Sequence, residues 1–232
     1  MVKVMHDPLD QPLIDLVGHL ATAFGDDLQS LILFGSAAEG RQRAVSDTNM
    51  VMVVRRFTPE RVAVAREHLA LARIALRLRL MVLCSDEIPS AVSAFAVKFA
   101  DILRRRRVLF GSDPFTNVVI PRPAAIAQLR QAVLNVVLRL REQSLVSAND
   151  ASSTLAAAEA AGGLRACAAQ LLTLEGVPAA TPRAALEQIA GGTMDDLSAA
   201  REGRLPVGGG NALIDRLLVC AATMRDRAEQ LA

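Results

Sequence analysis

Residues 31–54 read LILFGSAAEGRQRAVSDTNMVMVV, and the fold of the first half of the chain follows from them. The apolar run 31–34 predicts a buried strand, Gly35-Ser36 a turn, the stretch through Arg43 a short helix or loop, and 47–54 a second strand. A Gly-Ser turn leaving a buried strand lets the backbone come close to a ligand. It also offers free amides and the Ser36 hydroxyl to a phosphate. Asp47 and Asn49 stand two apart at the head of the second strand, so the period of two turns both side chains to one face, toward that turn.

Strand, Gly35-Ser36, a helical turn, then Ser46-Asp47-Thr48-Asn49 resembles the nucleotidyltransferase superfamily of DNA polymerase β, its small single-domain members above all. That family carries S-D-x-D on the second strand. Its two aspartates, with a third carboxylate on a later strand, hold the magnesium ions that carry the triphosphate and activate the attacking hydroxyl. The resemblance therefore implies Asp47 as catalytic residue and metal ligand, Asn49 as its degenerate companion, and Gly35, Ser36 and Ser46 as phosphate-binding residues. The later strand candidate, residues 76–83 (LRLRLMVL), holds no acid. Residues 108–115 (VLFGSDPF) are similar to the element with which many such domains close before a helical domain.

Composition narrows the rest. With 52% hydrophobic but 3% aromatic residues, the core must be built from Ala, Leu and Val, which favours close-packed helices. A net charge of +2, with no Trp or Tyr to stack on bases, argues against long nucleic acid as a partner. Cys84, Cys167 and Cys220 show no metal-binding spacing and read as buried free thiols. The first residues lack a signal-peptide apolar region and no stretch is long enough to span a bilayer, so a soluble cytoplasmic protein is expected.

Along the chain, Pro12 opens a helix with Leu13, Leu16, Val17, Leu20 and Phe24 on one face, ending at Gly25. His19 on this helix is assigned no role. Thr58-Pro59 starts a helix through about Ile74, and 76–83 alternates as a third strand whose Arg77 and Arg79 face either solvent or a ligand. One helix is expected over 86–104 with Phe95 on its apolar stripe, and the run Arg104 to Arg107 is expected on a helix end. Two prolines near Arg122 mark a boundary, giving a domain 1–118 and a helical domain 119–232. Beyond it, helices are expected over 124–144, 152–175 (Leu155 inward), a short one from Thr181-Pro182, one from a capping box at 193–196, and 211–231. The loop 204–210 (RLPVGGG) reads as a flexible hinge or helix entry. The fold class expected is α+β: a small mixed sheet flanked by helices, followed by an all-α bundle.

Nucleotidyl transfer needs anionic oxygen ligands for metal, and an amide supplies them poorly. Mg2+ is accordingly expected to bind weakly or not at all. Two readings stay open. In one, the fold has lost its chemistry and serves as a nucleotide- or partner-binding module, with pairing between copies through the Ala-rich bundle left open. In the other, the chain moves a nucleoside monophosphate from a nucleoside triphosphate to a small-molecule or protein hydroxyl, and Asp86, Glu87 or Asp101 supplies the missing acid.

Overall fold

The computed structural model describes residues 10–40 and 47–232. It is an α+β structure. The elements of the first half are α1 (Asp10–Phe24), β1 (Leu28–Phe34), β2 (Thr48–Val54), α2 (Pro59–Ala75), β3 (Leu78–Cys84), α3 (Ile88–Ala94), α4 (Ala96–Arg104) and β4 (Arg106–Gly111). The four strands form one mixed sheet in the order β3-β2-β1-β4, with β1 antiparallel to β2 and β4, and β2 parallel to β3 through α2.

Strand alternation decides which side chains are covered. Leu31, Leu33, Met50, Met52 and Val54 point to one face and share a core with Leu13, Leu16, Leu20 and Phe24 of α1 and Ala65, Ala72 and Leu76 of α2. Ile32, Val51 and Val53 on the other face are buried too. A sheet buried on both faces explains why 31–34 and 50–54 read as unbroken apolar runs. On the helical layer, His19 of α1 stacks on His68 of α2 with ring centroids 3.7 Å apart.

Two expectations here need correction. The helix expected over 86–104 is a short 3-10 turn (Ser85–Glu87) followed by two helices, and Phe95 lies exposed at the break between α3 and α4. Nothing local marks that break. The arginine run expected on a helix end starts there with Arg104 but continues into β4 with Arg106 and Arg107. Pairing of Val108 and Phe110 with β1 overrides the helix-end reading, because sheet partners far away in sequence decide strand formation.

By contacts the chain divides into two units. The first runs to Val92 and returns for Asp101–Val119; the second takes Ser93–Ala100 with Ile120–Ala232. The second contains α5 (Arg122–Val146), α6 (Asp150–Glu175), α7 (Pro182–Ala190), α8 (Thr193–Arg201) and α9 (Gly209–Glu229). Helix α6 is the centre of the bundle and packs on α5, α7, α8 and α9. Its Ala157, Ala161 and Ala168 let neighbouring backbones approach, while Leu164 and Leu171 fill the space between Leu129, Val133 and Val137 of α5 and Leu213, Leu217 and Met224 of α9. Leu155, expected inward, is exposed, because the inward stripe of α6 runs through Ser153, Ala156, Ala157 and Ala161. Thr193 does not cap α8: it is the first residue of that helix, and its hydroxyl donates back to Ala190 O.

The 204–210 loop is not a slack hinge. Asp150 at the start of α6 accepts from the amides of Gly208 (2.8 Å), Gly210 (2.8 Å) and Asn211 (3.1 Å), so a carboxylate sits on the first amides of α9. These bonds, Asn211 first, hold the Asp150 carboxyl below its ordinary range. Nearby, Asn149 and Ser152 cap α6 reciprocally, and the Ser153 hydroxyl donates to Asn211 Oδ1 at 2.6 Å. At the other end of α9, Arg130 donates to the carbonyls of Ala228, Glu229 and Leu231.

Candidate functional site

One edge of the sheet collects the residues of interest. The end of β1 lies beside the starts of β2, β3 and β4, and register aligns Arg79, Asn49, Phe34 and Arg106 in a single row across all four strands. Side chains of paired residues share a face, so this row points away from the layer of α1 and α2.

Gly35 follows β1 with φ at +75°, a conformation that disfavours any residue with a Cβ. A Cβ there would lie 3.9 Å from Asn49 Nδ2 and 3.9 Å from Arg105 Nη2, so the turn is bordered by these two side chains. The Gly35 amide, expected to be free for a phosphate, donates to Arg105 O at 2.9 Å. Its task is to tie the turn to the segment entering β4. The Ser36 hydroxyl has no hydrogen-bond partner among the described residues. Ser46 lies outside the described residues.

Asp47 immediately precedes β2, with its side chain 35% exposed, and both of its oxygens meet a guanidinium. Arg77 Nε lies 3.4 Å from Oδ1 and Arg79 Nε 3.5 Å from Oδ2. Arg77, just before β3, and Arg79 within it therefore belong to the face that Asp47 presents, which periodicity alone left open. Arg77 holds a φ of +50°, the one positive value at a non-glycine residue among those described, while its carbonyl accepts from Thr48 N. Outside glycine this conformation costs about 1–2 kcal/mol.

Arg105 is the residue that sequence reasoning passed over. Its guanidinium makes a fork onto Asp101, at 2.6 and 2.7 Å from Nη2 and 2.9 Å from Nε, and it reaches Glu39 Oε2 at 3.3 Å. With two carboxylates on one largely buried cation, Arg105 fixes the outer wall of the Gly35 turn. The signal was available in the arginine run just before the Val108-Leu109-Phe110 strand, had that run been read as the entry to β4.

The donor set does not fit a catalytic metal pair. Asp47 is shared between two cations, Asn49 offers a neutral amide, and Asp101 is engaged by Arg105. Asp86 and Glu87 cannot supply the missing acid, since they follow the far end of the seven-residue β3, about 20 Å from its start. Glu87 instead accepts from Cys84 N at 2.8 Å. Among the described residues no group of three His, Cys, Asp or Glu side chains is placed to hold a metal ion.

A spectinomycin adenyltransferase, AAD(9), from Enterococcus faecialis, solved with ATP and spectinomycin, superposes with a TM-score of 0.64. The match covers 95% of this chain and 99% of that one at 11% identity. The fold is nucleotidyltransferase-like. A toxin-antitoxin structure with AMP-PNP covers 58% of this chain and 95% of that chain at 13% identity, with a TM-score of 0.30 that carries no argument. No protein-family model matches the chain, and no curated protein matches it. In nucleotidyltransferase-like terms, Gly35-Ser36 and Asp47-Thr48-Asn49 stand at the edge described above, and Arg79 occupies the strand where the family resemblance implies the third carboxylate. No helix among the described residues is long and apolar enough to cross a membrane.

Proposed function

We propose that this chain is a nucleotide-binding module of nucleotidyltransferase-like fold in which metal-dependent transfer is impaired. The observation that carries the reading is the engagement of Asp47 by both Arg77 and Arg79. At an effective dielectric near 20, a unit charge about 4 Å away is worth roughly 4 kcal/mol, and less here because both arginines are more than half exposed. A carboxylate already neutralised in this way has little attraction left for Mg2+, and Asn49 adds no charge. The similarity to an enzyme solved with ATP supports a nucleoside triphosphate as ligand.

The alternative is transfer of a nucleoside monophosphate to a small-molecule or protein hydroxyl. It is favoured by one observation: the similarity to the adenyltransferase extends over 95% of the chain, the helical unit included. Thermal-shift measurements with a panel of nucleoside triphosphates, run beside a transfer assay with labelled triphosphate, separate the two. The expected result is a raised unfolding midpoint without label transfer. Robust transfer by the unmodified protein, abolished by Asp47→Ala, overturns the impaired reading and promotes the enzyme.

A further inference from the structure

We infer that the Asp47 edge takes polyphosphate anions free of metal, gripped by the terminal NH2 groups of Arg77 and Arg79, so that Mg2+ opposes binding. The inference rests on the nucleotide-binding reading above and names the form of the ligand. The atom of each guanidinium nearest to Asp47 is its Nε, one on Oδ1 and the other on Oδ2. Neither arginine's NH2 groups donate a hydrogen bond to a described residue, and the two side chains are 58% and 69% exposed. Asp47 thus holds the inner side of each fork, and among the described residues no hydrogen-bond partner takes the outer side. An outward guanidinium edge matches two oxygens of one phosphate, a geometry that an ammonium or a hydroxyl does not offer.

Two further observations point the same way. Arg77 follows the C-cap of α2 and takes the left-handed conformation with which helices commonly end, and from there its side chain meets the same carboxylate as Arg79. The local charge also favours an anion: two guanidiniums face one carboxylate. Arg105 differs, because Asp101 and Glu39 already neutralise it, and it serves as a wall. Mg2+ bound to a triphosphate removes two of its negative charges and covers oxygens that the guanidiniums need. Chelation therefore competes with this site, whereas a metal-dependent site requires it.

The test is calorimetry on the full chain with ATP, inorganic tripolyphosphate and adenosine, each in EDTA and in excess Mg2+. ATP and tripolyphosphate are expected to bind in EDTA, adenosine not to bind, and Mg2+ to weaken ATP by about tenfold. Arg77→Gln and Arg79→Gln are each expected to cost about tenfold in EDTA for both phosphates. Circular dichroism of these exposed-site variants should match the parent. ATP binding that appears only with Mg2+, that is indifferent to both arginine substitutions, or that adenosine reproduces overturns the inference and leaves the nucleotide reading standing. Absence of ATP binding in both buffers removes the nucleotide reading and this inference with it.

Discussion

The Gly35-Ser36 turn and the loop 204–210 each place a glycine of positive φ at a helical start, yet their first amides have different partners. At the second, Asp150 from the same chain fills the position that a phosphate would take, held by three amides. At the first, the Gly35 amide is spent on Arg105 O, and the free donors belong to Arg77, just before β3, and Arg79 within it. Glycines at a helix entry therefore do not identify a ligand site by themselves. What distinguishes the two is whether the chain supplies its own anion.

The sharpest way to break this contrast is by adding a methyl group. A Cβ on Gly210 would sit 2.4 Å from Asp150 O and 2.6 Å from Thr154 Oγ1, while a Cβ on Gly35 meets nothing nearer than 3.9 Å. Gly210→Ala should therefore destabilise the helical unit by about 3 kcal/mol or more, by forcing backbone to move. Gly35→Ala should cost only the strain of its φ, about 1–2 kcal/mol. Urea unfolding of both variants checks the order, and equal losses would dissolve the distinction.

A smaller effect is expected from pH. The Asp150 carboxyl is held below its ordinary value of 3.8, chiefly by the Asn211 amide, so its contribution favours the folded state. The contribution is fully present above the unfolded-state value and is lost as pH falls through the lowered folded value. Thermal midpoints of the parent should thus drop more steeply below pH 4 than those of Asp150→Asn, which starts lower and titrates less. Parallel profiles would mean that the three amides do not need a charge.

The smallest effect sharpens the other side of the comparison. Arg77→Gly relieves left-handed strain of about 1–2 kcal/mol, but it gives up an exposed ion pair of about 0–1 kcal/mol and loosens the unfolded chain by about 0.5–1 kcal/mol, so its net change in stability should lie within about 1 kcal/mol of zero. A large loss in chemical denaturation would make Arg77 a structural residue and weaken its reading as a ligand group.

The fold was legible where burial is uniform. Residues 31–34 and 50–54 pack on both faces, so any register leaves them apolar, and the strands show directly. The helical half was legible through Leu129, Val133 and Val137 on α5, and through Gly176, which ends α6 in a left-handed conformation. Less was legible at the site. Asp47 and Asn49 announced themselves by spacing, but Arg77 and Arg79 read more readily as a solvated face than as ligand groups. Only the parallel pairing of Asn49 with Arg79 brings them to the carboxylate. Asp150 was silent for a similar reason: its partners lie some sixty residues away, and an Asp before an Ala-rich helix reads as an ordinary first-turn acid.

The scattered cysteines have one practical consequence. Burial pushes the Cys167 thiol up to about 12 and the Cys220 thiol up to about 11, whereas Cys84 closes β3 in the other unit and is only partly buried. An alkylating reagent needs thiolate and access, and the two bundle cysteines provide neither while the helices stay packed. Their rates of modification thus work as a stopwatch on the breathing of the helical unit, with the partly exposed Cys84 as a reference that needs no such opening. Both can be read peptide by peptide in one mass-spectrometry run with no engineered probe.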